Sequence, residues 1–280
     1  MSIKIVADST CDLSKELIDK YNITIIPLSI IMGDESHYDG EDLTPEEIFA
    51  WSDRNRTTPK TSAVSQERTE KVLRPMMKAG DDIIFFGISG KMSSTCNVVS
   101  MVGADYDKLH VIDSMNLSTG IGLQVIRAAE FAAAGLKAPE IVERINKARE
   151  DVRASFVIDT LTFLARGGRC SSVTALLANT LKLHPVIAVT DGAMDVAKKL
   201  RGSIGRVIMN YVLSMEAELL TADPSRVFIT HSGCDPKVVA EVREYLERLN
   251  YFKEIHETRA GGVISSHCGP NTLGVLYYSK

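Results

Sequence analysis

Short apolar runs alternate with amphipathic stretches along the whole chain, the pattern of strands joined by crossover helices in a largely parallel sheet. Residues 3–7 are the first predicted strand, Asp12 is placed to cap a helix reaching about Tyr21, and residues 23–31 read as extended. Pro27 puts that stretch at a sheet edge or in an irregular segment. Thr44-Pro45-Glu46-Glu47 is a sharp helix start: the hydroxyl stands at the N-cap, proline at the first helical position, and Glu47 at the third, where it completes a capping box. That helix is predicted to end near Asp53. Residues 55–65 are polar and contain a proline, so they read as a loop placing hydroxyls before a helix that starts near Gln66. Strands at 82–88 and 108–112 run into segments rich in Ser, Thr and Gly, namely Ser89-Gly90-Lys91-Met92-Ser93-Ser94-Thr95 and Ser118-Thr119-Gly120-Ile121-Gly122. Ligands of open α/β sheets bind at the carboxyl ends of the strands, so these segments mark a site.

Beyond Pro139 a charged helix is predicted to about Arg153, and a strand at 154–159 opens a second domain. A short helix at 160–165 stops at Gly167-Gly168, and Arg169 leads into a helix reaching about Leu183. Strands at 184–190 and 193–199 flank Asp191-Gly192, a strong hairpin signal. A long helix at 204–220, a strand at 226–231, a helix from Asp235-Pro236 and strands at 253–257 and 272–278 follow. The expected architecture is α/β in two α/β domains: residues 1–153 with a mostly parallel sheet and flanking helices, and residues 154–280 with a mixed sheet and helices.

Composition narrows the function. A chain of 280 residues is long enough for two domains, and 45% hydrophobic with 24% charged residues describes a chain that folds. The net charge of -4, with signs interspersed, leaves no basic stripe to neutralise a phosphate backbone, so no nucleic acid partner is expected. The N-terminal apolar run is too short for a signal peptide, and no stretch approaches the ~20 apolar residues of a spanning helix, so a cytoplasmic location is expected. Cys11, Cys96, Cys170, Cys234 and Cys268 are scattered without a Cys-x-x-Cys pair, and the histidines lack ligand spacing. Neither a disulfide framework nor a metal is expected.

The residues left for chemistry are hydroxyls, two arginine loops and one histidine. Thr61-Ser62 and Ser93-Ser94-Thr95 each precede a predicted helix, where hydroxyl donors and unpaired backbone N–H groups suit a carboxylate. Taken singly, such residues are more often caps and turn formers, but here they recur at successive strand ends. Gly90-Lys91 lacks the upstream glycine of a phosphate loop, since position 85 is Phe85, and Gly120-Ile121-Gly122 lacks the third glycine of a dinucleotide fingerprint. Arg169 and Arg201 stand in glycine-containing loops where either can face an anion, though such arginines are usually solvated. His267 lies in a run flanked by glycines that let the backbone approach something closely.

Taken together, Ile5-Val6-Ala7-Asp8-Ser9-Thr10-Cys11-Asp12-Leu13, Thr61-Ser62, Ile88-Ser89 with Ser93-Ser94-Thr95, Asp113-Ser114, Gly167-Gly168-Arg169 and Ile264-Ser265-Ser266-His267-Cys268-Gly269-Pro270 resemble, in order and over nearly the whole chain, the DegV proteins, also called FakB fatty-acid-binding proteins. The resemblance implies a non-catalytic lipid carrier that buries one long-chain fatty acid between its domains. Its carboxylate would lie at Thr61, Ser62, Ser93, Ser94, Thr95 and His267, with Arg169 and Arg201 near it or near a docking surface. It further implies a partner fatty acid kinase that phosphorylates the presented carboxylate and an acyltransferase that takes the product, with transient contact at a membrane surface allowed for. Ser93-Ser94-Thr95-Cys96 replaces the family's usual Ser-Gly-Thr-Tyr, which keeps the hydroxyls and changes their surroundings.

The rival expectation is a serine-dependent acyl hydrolase or acyltransferase with Ser93 as nucleophile and His267 as base. It lacks a Gly-x-Ser-x-Gly elbow, and no acid is marked to orient the histidine.

Overall fold

A computed structural model describes residues 2–174, 176 and 183–280. The first part of the chain runs β1 (Ile3–Asp8), α1 (Lys15–Lys20), β2 (Thr24–Ile26), β3 (Ser29–Met32), β4 (Glu35–Tyr38), α2 (Pro45–Asn55), β5 (Lys60–Ser62), α3 (Gln66–Ala79), β6 (Asp82–Gly87), α4 (Thr95–Val102), β7 (Leu109–Asp113), α5 (Thr119–Ala133) and α6 (Ala138–Ala148). It continues through β8 (Val152–Val157), α7 (Leu161–Gly167), α8 (Ser171–Thr174), β9 (Leu183–Thr190), β10 (Ala193–Arg201), α9 (Ile204–Leu213), α10 (Glu216–Leu219), β11 (Arg226–Ser232), α11 (Pro236–Leu249), β12 (Glu254–Arg259), α12 (Gly262–Cys268) and β13 (Thr272–Tyr278). None of these helices is long and apolar enough to cross a membrane.

The α/β expectation holds, with three sheets instead of two among the described residues. A four-stranded parallel sheet has the order β2-β1-β6-β7, and a six-stranded mixed sheet has the order β10-β9-β8-β13-β11-β12 with only β11 and β12 parallel. A small antiparallel sheet, β4-β3-β5, joins the first part. Pro27 sits between β2 and β3, where the chain leaves one sheet for another, consistent with its missing N–H. Helix α5 packs against β1 and β6 on one side and β8 and β13 on the other. It is accordingly buried without a break from Thr119 to Ile126, as a helix walled on all sides must be. The largest core cluster therefore includes Ala7 and Phe86 from one sheet together with Phe156 and Leu276 from the other.

Local signals explain most element ends. Thr44 Oγ1 accepts from the Glu47 N–H (3.3 Å) while Glu47 accepts from the Thr44 N–H (2.8 Å), the expected capping box. Asp191 (φ 49) and Gly192 (φ 76) form the β9–β10 hairpin turn with both central residues at positive φ. Four expectations fail. Asp12 does not cap α1: Ser14 does, because Asp12 is turned into the left-handed region (φ 50) and bonds elsewhere. Residues 60–62 are not loop but edge strand β5, paired with β3. The helix expected at 204–220 breaks at Ser214, whose hydroxyl bonds back to the Tyr211 carbonyl. Helix α12 was not anticipated. The helix expected from Arg169 to about Leu183 appears as α8, and its remainder falls largely outside the described residues.

Candidate functional site

Three separate stretches meet around one cavity of about 290 Å³. Strand β5 brings Thr61 and Ser62, the loop between β6 and α4 brings Ser93 and Ser94, and α12 brings His267, while Arg169 enters from the turn between α7 and α8. The rest of the wall is largely apolar, with Leu28, Ile88, Met92, Leu117, Met194 and Ile264 contributing. Ser62, Ser94 and Arg169 are exposed, so the polar side is the side that opens to solvent. Behind Leu117, Ile264 and Cys268 lies a second chamber of about 20 Å³ that shares those three residues and ends against Phe156 and Leu276.

The loop that carries Ser93 is tied down from several directions. Buried Asp8, at the end of β1, accepts from the Ile88 N–H (2.8 Å), and the Ser89 hydroxyl reaches the hairpin tip at the Gly192 carbonyl (2.6 Å). The N–H groups of Met92 and Ser93 then fold back on the Ser89 carbonyl at 2.8 and 3.0 Å. Ser93 shares a 3.0 Å hydroxyl contact with Thr95.

His267 and Thr61 are joined by a 2.7 Å hydrogen bond between Nε2 and Oγ1. Burial, and then the positive charge of Arg169, lower the imidazole pKa to about 4, so the ring is neutral at pH 7. Among the described residues its Nδ1 is buried without a partner. An orphaned lone pair costs less than an orphaned N–H, so the proton belongs on Nε2 and points at Thr61. Thr61 accepts that proton, which leaves its own O–H free to donate into the cavity. Cys268, in the wall, is pushed up to about 12 by burial and is a protonated thiol.

Not every expected residue reaches the cavity. Thr95 is fully buried at the start of α4 and, among the described residues, reaches the site through Ser93. Arg201 is exposed at the end of β10 and does not line the cavity. Ser93 and His267 both line it, but among the described residues no hydrogen bond links them: each hydroxyl–imidazole or hydroxyl–hydroxyl contact goes to a threonine instead. The nucleophile–base pair of the hydrolase expectation is therefore not assembled. Sequence reasoning gave no part in supporting the site to three buried carboxylates, Asp8, Asp12 and Asp39, although Asp8 and Asp12 stand in the family-like motif and Asp12 was read as a helix cap. Asp39 gave no local signal.

The chain was compared with known proteins. A DegV domain-containing protein of Clostridium perfringens is 28% identical over 280 residues, covering 99% of each chain. One from Staphylococcus aureus is 30% identical over 285 residues, covering 99% of this chain and 98% of the relative. Among solved structures, a fatty-acid-binding DegV family protein from Thermus thermophilus superimposes with a TM-score of 0.88 at 29% identity over 100% of both chains. A stearic-acid-binding protein from Eubacterium ventriosum does so with a TM-score of 0.85 at 27% identity, covering 100% of this chain and 99% of its own. The family model described as an uncharacterised protein of the DegV family matches residues 2–280, and this chain belongs to the DegV family.

Proposed function

We propose that the cavity holds one long-chain fatty acid, its carboxylate against Thr61 and Ser93 at the open end and its chain along the apolar wall, and that the protein is a carrier rather than an enzyme. The observation that supports this most is the neutral His267, which turns the Thr61 hydroxyl into a donor facing an apolar cavity. Hydroxyl donors hold the carboxylate, with the Arg169 cation on the open side of the same cavity, while each buried CH₂ stabilises the complex by about 0.8 kcal/mol. Fatty-acid binding by the Thermus thermophilus and Eubacterium ventriosum relatives agrees with it.

In this reading residues 1–153 form a domain that supplies Thr61 and Ser93, and residues 154–280 form one that covers the acyl chain and contributes His267. The carboxylate faces the side of the molecule where Ser62, Ser94 and Arg169 are exposed. A separate ATP-dependent fatty acid kinase reaches it there, and an acyltransferase takes the acyl phosphate, with the carrier working in the cytoplasm and touching membrane surfaces transiently. The carrier needs no nucleophile, because phosphoryl transfer rests on positioning and charge that the kinase and its metal supply. Lipid extraction and mass spectrometry of the purified protein test the reading. Stoichiometric fatty acid is expected, whereas turnover of acyl esters that Ser93→Ala abolishes would overturn it.

A further inference from the structure

Helix α12 carries His267 near its C-terminal end, and its N-terminal end is held by two carboxylates from the other end of the chain. Asp12 accepts from the Gly261 N–H at 2.8 Å, and Asp39 accepts from the Gly262 N–H at 2.7 Å. The second oxygen of each is also engaged: Asp12 with the Ser118 hydroxyl at 2.5 Å, Asp39 with the Ser9 hydroxyl at 2.7 Å. Both acids are buried, at 5% and 3% exposure, and among the described residues neither has a cationic partner within salt-bridge distance. Burying a carboxylate without a cation is costly, and here the offset comes from N–H and O–H donors alone.

The rest of the geometry shows what those donors fix. An α12 of seven residues spans only about 10 Å, so its two ends move together. The helix belongs in sequence to the far part of the chain but packs on β3, β5 and α2, with Val263 in a cluster with Ile30 and Ile48. A Cβ at Gly262 would lie 2.6 Å from Ile30 Cδ1 and 3.1 Å from Asp39 Oδ1, so the first turn is seated with no room to shift. Asp12 itself is held at φ 50, a conformation a non-glycine residue keeps only where its contacts require it.

We propose that Asp12 and Asp39 are positioning residues for the head-group site: by fixing the first turn of α12 they set the height and rotation at which His267 meets Thr61. The inference rests on the proposed role of Thr61 and His267 in holding the carboxylate. Neither acid touches the cargo. Each acts through the helix, and replacing either by asparagine keeps the shape while removing one of its two acceptor oxygens.

The test reads the imidazole first and the cargo second. In ligand-free protein, ¹⁵N-resolved NMR of the His267 ring should show the Nε2–H tautomer for the native chain and a mixed or shifted signal for D12N and D39N. Palmitate should bind both variants about tenfold more weakly. E130Q, which weakens the distant Arg226–Glu130 ion pair, is the control for general destabilisation and should leave the His267 signal in place. If D39N does not fold, S9A removes one donor from Asp39 and should shift the same signal by a smaller amount. His267 signals and palmitate affinity in folded D12N and D39N that match E130Q would overturn the proposal. Native protein that binds no palmitate, with His267 still displaced in the variants, would sink the fatty-acid reading and leave the positioning role standing.

Discussion

The imidazole of His267 lies against the bare α-carbon of Gly167, so closely that a Cβ built there would sit 2.2 Å from Nδ1. Gly167 is the last residue of α7, and its carbonyl in turn accepts from Arg169 at 2.7 Å. One missing side chain thus lets α7 and α12 approach and sets where the cation stands relative to the ring. Gly167→Ala should push the imidazole off Thr61 and weaken palmitate binding by tenfold or more, roughly 1.4 kcal/mol. The neighbouring Gly168→Ala meets no atom of the described residues within 4 Å but adopts φ +68, so it should cost roughly 1–2 kcal/mol of stability with little change in affinity. Dissociation constants and thermal unfolding of the two variants, measured side by side, separate the effects.

Acidification should act on the fold through His267. Its pKa falls from 6.5 to about 4 on folding, so the unfolded chain binds more protons between those values. The contribution is fully present above pH 6.5 and is lost as pH falls toward 4, and it amounts to roughly 3 kcal/mol at most. Asp8 works in the opposite sense, because burial raises it from 3.8 to about 6 and stability from that group is lost as pH rises through that window. His267→Gln should therefore flatten the acid side of the stability–pH curve, and Asp8→Asn should steepen it, as read from denaturant midpoints between pH 4 and 7.

Thr61→Val removes both the acceptor for Nε2–H and the donor offered to cargo. A buried donor left without a partner costs about 1–3 kcal/mol, and palmitate affinity should fall by a comparable factor. Thr61→Ser keeps the hydroxyl and should retain most of the affinity. Isothermal titration with palmitate distinguishes the pair, and equal affinities would remove Thr61 from the site.

The chamber beyond Leu117, Ile264 and Cys268 should govern chain length. Cys268→Phe places a ring where the two cavities meet. In the native protein, affinity should rise by about 0.8 kcal/mol per added CH₂ along a series from lauric to stearic acid until the tail reaches Phe156. The variant should level off earlier in that series. A parallel rise in both proteins would place the tail elsewhere.

How far the sequence could be read depended on the distance over which each element is specified. The capping box at Thr44 and Glu47 and the turn at Asp191-Gly192 are complete within a few residues, and both were legible. Strand β5, Lys-Thr-Ser, has no apolar alternation and exists because β3 offers it an edge, so Thr61 was found as a hydroxyl but misplaced in a loop. Helix α12 begins at a glycine with no side-chain cap of its own. Its caps lie 249 and 223 residues earlier in the chain, at Asp12 and Asp39, which no local pattern can report. Asp12 was read as a cap, correctly in kind but for the wrong helix. Arg201 was placed near the carboxylate or a docking surface by its loop and by the family resemblance, and the course of β10 leaves it in solvent, away from the cavity lining.

The seat of α12 also orders events during synthesis. Translation delivers Asp12, Asp39 and Thr61 long before residues 262–268 exist, so a ribosome-bound chain can complete the parallel sheet and still lack the histidine that directs Thr61. On the proposed reading, a nascent chain cannot hold a fatty acid at Thr61 before α12 has docked. The head-group site is completed only when α12 docks on β3, β5 and α2 and meets Asp12 and Asp39, partners made more than two hundred residues earlier.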